Sequence, residues 1–127
     1  MSPDIKPGDI YWVTIDPSQT VGSEQHSRRP FVIVSRLRVN RGGRVVVALP
    51  FTTTGADQQI HPPYRIVIPA NEISRDIGFK GAIQDSVALT EQIRALSPKR
   101  LEDKMGVLSA TALASVGLGL AYLFDLR

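Results

Sequence analysis

The sequence predicts a small, mainly β protein of the α+β kind, in which an antiparallel barrel precedes a short helix and a C-terminal helix. Short β-branched runs occupy the first two-thirds of the chain, with turn-forming residues between them. Helix signals come only afterwards, an order typical of a domain in which strands and helices are segregated. Because 127 residues suffice for one hydrophobic core, we expect a single domain over residues 1–127.

The expected strands are short and almost continuously apolar, as is typical of strands that are buried on both faces. The two glycines in Asn40–Gly43 predict a hairpin turn between the second and third strands. The predicted strands are Asp9–Asp16, Phe31–Ser35, Arg44–Pro50 and Tyr64–Pro69, with one or two more in Ser86–Leu96.

Two helices are expected near the end of the chain. Ser97 suits an N-cap, Pro98 suits the first helical position, and Gly106 is expected to end this short helix. Ser109 is the expected cap of a final helix that runs to about Phe124.

The segment Val107–Phe124 is apolar and roughly long enough to span a membrane. Serine, threonine and glycine residues interrupt it, however, and an apolar stripe repeats at helical spacing through Leu113, Val116, Leu120 and Leu123. We therefore expect a helix that packs on the core or on a subunit interface, and no membrane association.

Composition narrows the functional classes. The chain has no cysteine, which excludes disulfides and cysteine-based metal sites and fits a reducing cytoplasm. The polar start Met1–Gly8 lacks the apolar centre of a signal peptide, so we expect a cytoplasmic protein. A net charge of +3 is compatible with a polyanionic partner. With neither paired histidines nor a carboxylate cluster at ligand spacing, we expect no metal and no cofactor.

Two polar segments, Pro17–Pro30 and Thr52–Pro63, separate the expected buried strands. Long loops on a rigid β scaffold commonly carry binding and catalytic groups. The two histidines of the chain, His26 and His61, fall in these loops, and a histidine acid–base pair is therefore conceivable.

A series of short motifs runs along the chain from about Pro7 to Leu123. They are Gly8–Val13 (GDIYWV), Asp16–Pro17, Gly22–Gln25 (GSEQ), Arg29–Pro30, Val32–Ser35 (VIVS), Leu49–Thr53 (LPFTT), Ser86–Leu89 (SVAL) and Glu91–Arg94 (EQIR). In order and spacing this series resembles the MazF/PemK (Kid-like) toxins of type II toxin–antitoxin systems. The GSEQ motif followed by Arg29–Pro30 is a specific part of the resemblance.

The resemblance implies an SH3-like barrel, related in fold to the gyrase poison CcdB, that forms a homodimer. It implies a toxin that cleaves single-stranded RNA, mainly mRNA, at short sequences without metal, and so inhibits translation and growth. The products would carry a 2′,3′-cyclic phosphate and a 5′-hydroxyl. The implied partners are RNA and a MazE-like antitoxin, with operator DNA bound only by the toxin–antitoxin complex.

Such cleavage uses the substrate's own 2′-hydroxyl as nucleophile, so the protein must move protons and stabilise a negatively charged phosphorane. The resemblance places the family's catalytic arginine at Arg29 and its catalytic threonine at Thr52. A guanidinium is a poor base, so we expect Arg29 to stabilise transition-state charge. Thr52 is expected to donate to a phosphate oxygen or position the 2′-hydroxyl. Glu24 is expected either to accept a proton or to hold Arg29.

Other residues are expected to bind the RNA, through hydrogen bonds to splayed bases and contacts with the backbone. They are Gln25, His26, Arg28, Thr53 and Arg94, with Thr53 also the alternative to Thr52 if the loop register differs. Additional candidates are Arg36, Arg38 and Lys80 for a basic groove, and Phe51 and Phe79 for base stacking.

The sequence departs from the Kid branch of the family, which uses an aspartate and an arginine where this chain has Leu89 and Glu91. Chemistry through Arg29 and Thr52 is therefore the expected mechanism. Two other functions stay open: a gyrase poison on the same fold, and a non-catalytic nucleic-acid-binding barrel. The ending Phe124–Arg127 lacks the Trp-Gly-Ile ending of CcdB toxins, which disfavours the first. The RNA sequence that is recognised is not determined by this pattern.

Overall fold

The computed structural model describes residues 4–15 and 28–126, in which eight strands and two α-helices are present. The strands are β1 (Asp9–Thr14), β2 (Arg28–Ile33), β3 (Val46–Thr52), β4 (Arg65–Ile68), β5 (Ile73–Arg75), β6 (Ser86–Leu89), β7 (Arg94–Leu96) and β8 (Lys104–Leu108). The helices are α1 (Leu37–Arg41) and α2 (Ala110–Leu123), and single 3-10 turns occupy Ala70–Glu72, Thr90–Gln92 and Pro98–Arg100.

The strands form one antiparallel sheet in the order β4-β6-β3-β2-β1-β8-β5, with β7 beside β3. Strand β3 is shared: its first half, Val46–Ala48, pairs with β7, whereas Phe51 and Thr52 pair with β6. A strand that changes partners along its length makes the sheet curl, and the result is a half-barrel between the edge strands β4 and β5. This confirms the predicted mainly β, antiparallel barrel class.

Residues alternate between the two faces of the curled sheet, as the pleat requires. In β1, Ile10 and Trp12 belong to the larger apolar cluster, and Tyr11 and Val13 belong to a smaller cluster on the opposite face. Both faces of the central strands are therefore covered, which explains why these strands are apolar almost without interruption.

Helix α2 closes the open side of the half-barrel by packing on the larger cluster. Val116 is fully buried and Ala112 almost so, and both contact that cluster, while Leu113, Leu120 and Leu123 are half-buried. Ser109 caps the helix by accepting a hydrogen bond from the Ala112 amide at 3.0 Å. The cap and the apolar stripe are thus confirmed. No helix in the described residues combines the length and the apolar content that a membrane crossing needs.

The predicted hairpin turn at Asn40–Gly43 is wrong. The connection between β2 and β3 contains α1, with Asn40 buried in it and Gly43 at a positive φ of 77° after it. The Asn40 amide donates to the carbonyls of Ile5 at 2.7 Å and Ser35 at 2.9 Å. These contacts to the chain before β1 and after β2 hold a helical turn that the glycine signal alone did not indicate.

The short helix predicted from Ser97 to Gly106 is also wrong beyond its first turn. Ser97 does cap a turn, accepting from the Lys99 amide at 3.3 Å, but that turn is the 3-10 segment Pro98–Arg100. Gly106 instead lies inside β8, opposite Ile10 of β1 and Arg75 of β5. Residues 104–108 pair with β1 on one side and with β5 on the other. These strand pairings outweigh the local helix signal.

The segment Ser86–Leu96 forms two strands, β6 and β7, within the predicted one or two, and the 3-10 turn Thr90–Gln92 lies between them.

The predicted loop Pro17–Pro30, in contrast, extends too far, because its last three residues belong to β2. Arg28, Arg29 and Pro30 are the first residues of β2 and pair with Thr14, Val13 and Trp12. Arg29 is therefore held by a strand rather than by a loop.

We predict that Gly106→Ala destabilises the fold by about 1–3 kcal/mol, because overpacking against backbone cannot relax. A Cβ at this position would lie 2.3 Å from the Ser74 carbonyl oxygen. Gly117→Ala is the control, since a Cβ there meets nothing within 4 Å. In the helix interior it should stabilise by about 0.5–1 kcal/mol. Urea unfolding measures both, and equal stabilities for the two variants would contradict the close approach of β5 and β8.

Candidate active site

Arg29 and Thr52 lie on neighbouring strands at the same end of the sheet. Strands β2 and β3 pair through Phe31–Pro50, Val32–Leu49 and Ile33–Ala48. The same register, continued by two residues, puts Arg29 across from Thr52, so that both side chains occupy one face. The ladder itself ends at Phe31–Pro50, because Pro30 and Pro50 supply no amide proton. Beyond this point Arg29 is held by its pairing with Val13 of β1, and Thr52 by its pairing with Val87 of β6.

Two adjacent cavities meet at these strand ends, and Arg29 and Thr52 line both. The first, of about 230 Å³, we call the aromatic cavity; its other lining residues are Trp12, Pro30, Phe51, Thr53, Ala82, Gln84, Ser86 and Met105. The second, of about 300 Å³, we call the polar cavity; its other lining residues are Thr54, Gly55, Gln58, His61, Arg65, Val87 and Leu89. Arg29 and Thr52 thus stand at the junction between a chamber lined by aromatic rings and a chamber that holds a second arginine and a histidine.

Among the described residues, the hydroxyl of Thr52 makes one hydrogen bond, which is local. Its Oγ1 accepts a hydrogen bond from the Thr54 amide at 3.2 Å, which shapes the turn after β3. Because a hydroxyl can accept and donate at once, its proton is still available to an oxygen in either cavity. The turn-forming and the functional interpretations of Thr52 are therefore compatible.

Arg28 has a different environment from its neighbour, because successive side chains of a strand point to opposite faces. Its Nε donates to Glu102 Oε1 at 2.7 Å, its Nη2 lies 3.3 Å from Asp103 Oδ2, and its guanidinium lies 4.6 Å from the Trp12 ring centre. Two carboxylates and an aromatic face thus engage this cation. Arg28 fastens the start of β2 to the segment before β8.

Glu102 is held from two sides. Hydrogen bonds from the Thr14 hydroxyl, at 2.7 Å, and then from Arg28 favour the charged carboxylate and lower its pKa below the ordinary value of 4.5. Because Thr14 ends β1 and Arg28 begins β2, this carboxylate ties together the strand ends that flank Arg29. It is therefore a structural support of the site.

The polar cavity contains a second arginine and a histidine. Arg65 Nε donates to Glu91 Oε2 at 2.8 Å, and Nη2 donates to the same oxygen, which raises the pKa of Arg65 above its ordinary value. His61 Nε2 lies 2.9 Å from the Gln58 carbonyl oxygen. A carbonyl oxygen only accepts, so this contact requires a proton on Nε2 and leaves the lone pair of the neutral ring on Nδ1.

The structure brings some of the predicted residues together and not others. Thr53 lines the aromatic cavity beside Thr52. Arg94 lies on β7 opposite Ala48 and lines neither cavity. Three of the predicted site residues, Glu24, Gln25 and His26, lie outside the described residues.

The additional candidates are similarly divided. Phe51 lines the aromatic cavity but is only 2% exposed, because most of its ring lies in the core. Lys80 and Phe79 line a third cavity, where Phe79 packs against Trp12 with ring centres 6.2 Å apart. Arg36 and Arg38 are exposed at α1 and line neither of the two cavities.

Sequence reasoning missed Arg65, Gln58, Gln84 and Trp12 as lining residues of these cavities. Arg65 had a weak signal, since it occupies a polar position in the alternating strand Tyr64–Pro69. No local pattern could show that this strand pairs with β6, however, and only that pairing brings Arg65 toward Thr52.

Comparison with known proteins identifies the family of the chain. Residues 6–124 match the model of the PemK-like, MazF-like toxins of type II toxin–antitoxin systems. The chain belongs to this family. A curated member, Endoribonuclease MazF9 of Mycobacterium tuberculosis H37Rv, is 32% identical over 124 residues, which are 94% of this chain and 95% of the relative.

Solved structures of the family share the fold. A crystal structure of MazF from Deinococcus radiodurans has a TM-score of 0.70 and 24% identity, and the match covers 98% of this chain and all of that one. A mycobacterial endoribonuclease in complex with its cognate antitoxin has a TM-score of 0.69 and 20% identity over 99% and 98% of the two chains. At these identities the likeness establishes the half-barrel fold of the toxin family.

We predict that Glu102→Gln lowers the melting temperature near neutral pH by about 1–4 °C, as expected for an exposed ion pair. A carboxyl group whose pKa is lowered by folding stabilises above its ordinary pKa and loses this effect as the pH falls through the lowered value. The difference from the native protein should therefore shrink as the pH falls below 4.5. Thr14→Val, which removes one donor, should show part of the same trend. A difference that stays constant between pH 7 and pH 3 would contradict the assignment.

Proposed function

We propose that this toxin-family chain is a metal-independent endoribonuclease that cleaves single-stranded RNA and so arrests translation and growth. The observation that carries the proposal is the position of Arg29 and Thr52 at the junction of the two cavities, across which a strand of RNA can lie. Family membership and the endoribonuclease name of the relative from Mycobacterium tuberculosis support it.

The proposed reaction is an internal displacement on phosphorus. The 2′-oxygen of the substrate forms a bond to the adjacent phosphorus while the bond to the 5′-oxygen breaks, which leaves a 2′,3′-cyclic phosphate and a 5′-hydroxyl. One proton leaves the 2′-hydroxyl and one reaches the 5′-oxygen, so no protein nucleophile and no net change in protonation are needed. Glu24 is our proposed partner in these transfers or in holding Arg29.

Arg29 and Thr52 act on the charge that develops during this step. The guanidinium is permanently charged and binds two phosphate oxygens at once, which stabilises the phosphorane more than the ground state. The Thr52 hydroxyl, which accepts from the Thr54 amide, donates its one proton to an oxygen of the same group. Strands β2 and β3 hold both side chains, so little reorganisation is required when the RNA enters.

The aromatic cavity gives a reason for single-stranded substrates. Trp12 offers ring surface, and the Gln84 amide can read the edge of a base that has left the stack. A paired base cannot enter such a chamber without unpairing. The further RNA contacts that we propose, beyond Arg29 and Thr52, are Gln25, His26, Arg28, Thr53 and Arg94.

The proposed biological unit is a homodimer in the cytoplasm, held inactive by a MazE-like antitoxin. Structures of toxin–antitoxin complexes from a mycobacterium and from Deinococcus radiodurans support the antitoxin partner. With a net charge of +3, this chain favours an acidic antitoxin segment that covers the two cavities and competes with RNA. Crosslinks that map only to the opposite face would contradict that placement. Operator DNA is a proposed ligand of the complex alone.

We predict that the native protein cleaves long single-stranded RNA in excess EDTA and that Arg29→Ala lowers kcat/KM by about 100- to 1,000-fold, as loss of a transition-state donor does. Arg41→Ala is the matched control, because Arg41 is an exposed arginine paired with Asp4 at 2.8 Å on α1. Sequencing the 5′ ends of the products gives the cleaved sequence. Intact RNA after incubation with folded, antitoxin-free native protein would refute the proposal, and gyrase-dependent DNA breaks would favour a gyrase poison.

We predict that Thr52→Val lowers kcat by about 10- to 100-fold, since a hydrogen bond to a charged group is lost. Thr52→Ser keeps the hydroxyl and should retain most activity. Thr53→Val serves as the matched comparison in the next residue and should have the smaller effect. Should Thr53→Val be the more damaging variant, Thr53 would replace Thr52 in the mechanism.

A further inference from the structure

Arg29 and Arg65 lie on one face of four adjacent strands. The pairs Thr52–Val87 and Arg65–Leu89 connect β3, β6 and β4 in register, and Arg29 of β2 lies across from Thr52. The opposite face of the same strands contributes Phe51, Ala88 and Ile68 to the core. The polar cavity therefore has an apolar floor, Val87 and Leu89, with an arginine at each end.

The distance between the two ends follows from strand geometry. Arg29 and Arg65 are separated by three strand spacings and by a shift of two residues along β4, which amounts to roughly 16 Å between Cα atoms. At this separation, the two arginines suit two different phosphates better than one. Two phosphates of one extended RNA backbone can each contact one arginine. The polar cavity is therefore shaped for RNA backbone on one side of the cut.

Glu91 holds Arg65 by one edge only. Nε and Nη2 both donate to Oε2, so three of the five guanidinium protons are left for other acceptors. The second oxygen, Oε1, is buried and has no hydrogen-bond partner among the described residues. A pair that served stability alone would gain by using both carboxylate oxygens. The observed contact instead orients the guanidinium and leaves its other edge unused, while 41% of the Arg65 side chain is exposed.

We propose that Arg65 binds the phosphate that flanks the scissile one and that Glu91 is its positioning residue. The inference rests on the proposed RNA cleavage and extends it to a second backbone subsite in the polar cavity. A flanking phosphate does not change during the reaction, so Arg65 contributes equally to substrate and transition-state binding. Its loss therefore raises KM and leaves kcat nearly unchanged, in contrast to the loss of Arg29.

The test uses a short RNA oligonucleotide that spans the mapped cut site. For Arg65→Ala we expect KM to rise by about 10- to 100-fold and kcat to stay within about 3-fold, from the loss of one charged contact. Arg41→Ala, which removes a more exposed ion-paired arginine that lines neither cavity, should change neither constant. Binding of the same RNA with a 2′-deoxy substitution at the cut is measured against salt. The plot of the logarithm of the association constant against log salt should become less steep by about 0.7 in Arg65→Ala, the value for one phosphate contact on a single strand.

Two further variants separate function from folding. Arg65→Gln combined with Glu91→Gln replaces the ion pair by an amide pair of similar size, so this protein should fold while KM still rises as in Arg65→Ala. Glu91→Gln alone keeps an oxygen for Nε and should retain most of the affinity, whereas Glu91→Ala should raise KM by about 3- to 10-fold.

Suppose that the native protein is active, and that folded Arg65→Ala and the double variant both keep the native KM and salt slope. This result would overturn the role of Arg65 and leave the proposed RNA cleavage intact. A fall in kcat with unchanged KM would overturn it too, because Arg65 would then act in the transition state. If the native protein left RNA intact, the proposed cleavage would be wrong, and the salt dependence of binding to a single-stranded RNA of mixed sequence would still decide whether Arg65 contacts a phosphate.

Discussion

The pairing of β3 with three other strands is the constraint on which the rest of the molecule depends. Its first half is held by β7, its middle by β2 and its end by β6, and Val46, Ala48 and Leu49 are fully buried within it. In such a strand, a register shift of one residue would exchange the core and cavity faces and bury Thr52 in place of Phe51. The packing that stabilises the half-barrel thereby also sets the position of the proposed catalytic threonine.

Because successive side chains of a strand point to opposite faces, neighbouring arginines at the site have different roles. One stabilises the structure through ion pairs, and the other faces the cavities in which we propose that the reaction occurs. Arg28 and Arg29 are adjacent in sequence, yet Arg28 meets Glu102, Asp103 and the Trp12 ring, whereas Arg29 lines both cavities. In the same way Arg65 is oriented by Glu91 at the far end of the polar cavity. Glu91 is not among the residues that line the polar cavity, so it orients Arg65 from outside the chamber in which a phosphate would bind.

Part of this arrangement could be predicted from short stretches of the sequence. Arg29 and Thr52 could be predicted because they stand in short contiguous motifs, and the cap at Ser109 because its hydrogen bond spans three residues. Local signals failed where a distant contact decides. The glycines after Asn40 favoured a hairpin, but Asn40 bonds to Ile5, 35 residues earlier, and stays in a helical turn. Gly106 favoured a helix end, whereas the close Ser74 carbonyl requires a residue without a side chain inside β8.

The amino-acid order by itself determined the class of fold, the alternation that separates buried from exposed positions, and the motif residues Arg29 and Thr52. The tertiary structure alone decided that β5 pairs with β8 and that β4 pairs with β6. The second of these pairings is the reason why Arg65 shares a cavity with Arg29. The physical reason is that strand periodicity specifies which face of a strand is apolar but not which strand lies beside it. That choice depends on chain closure and on the fit of whole faces, which are properties of the assembled sheet.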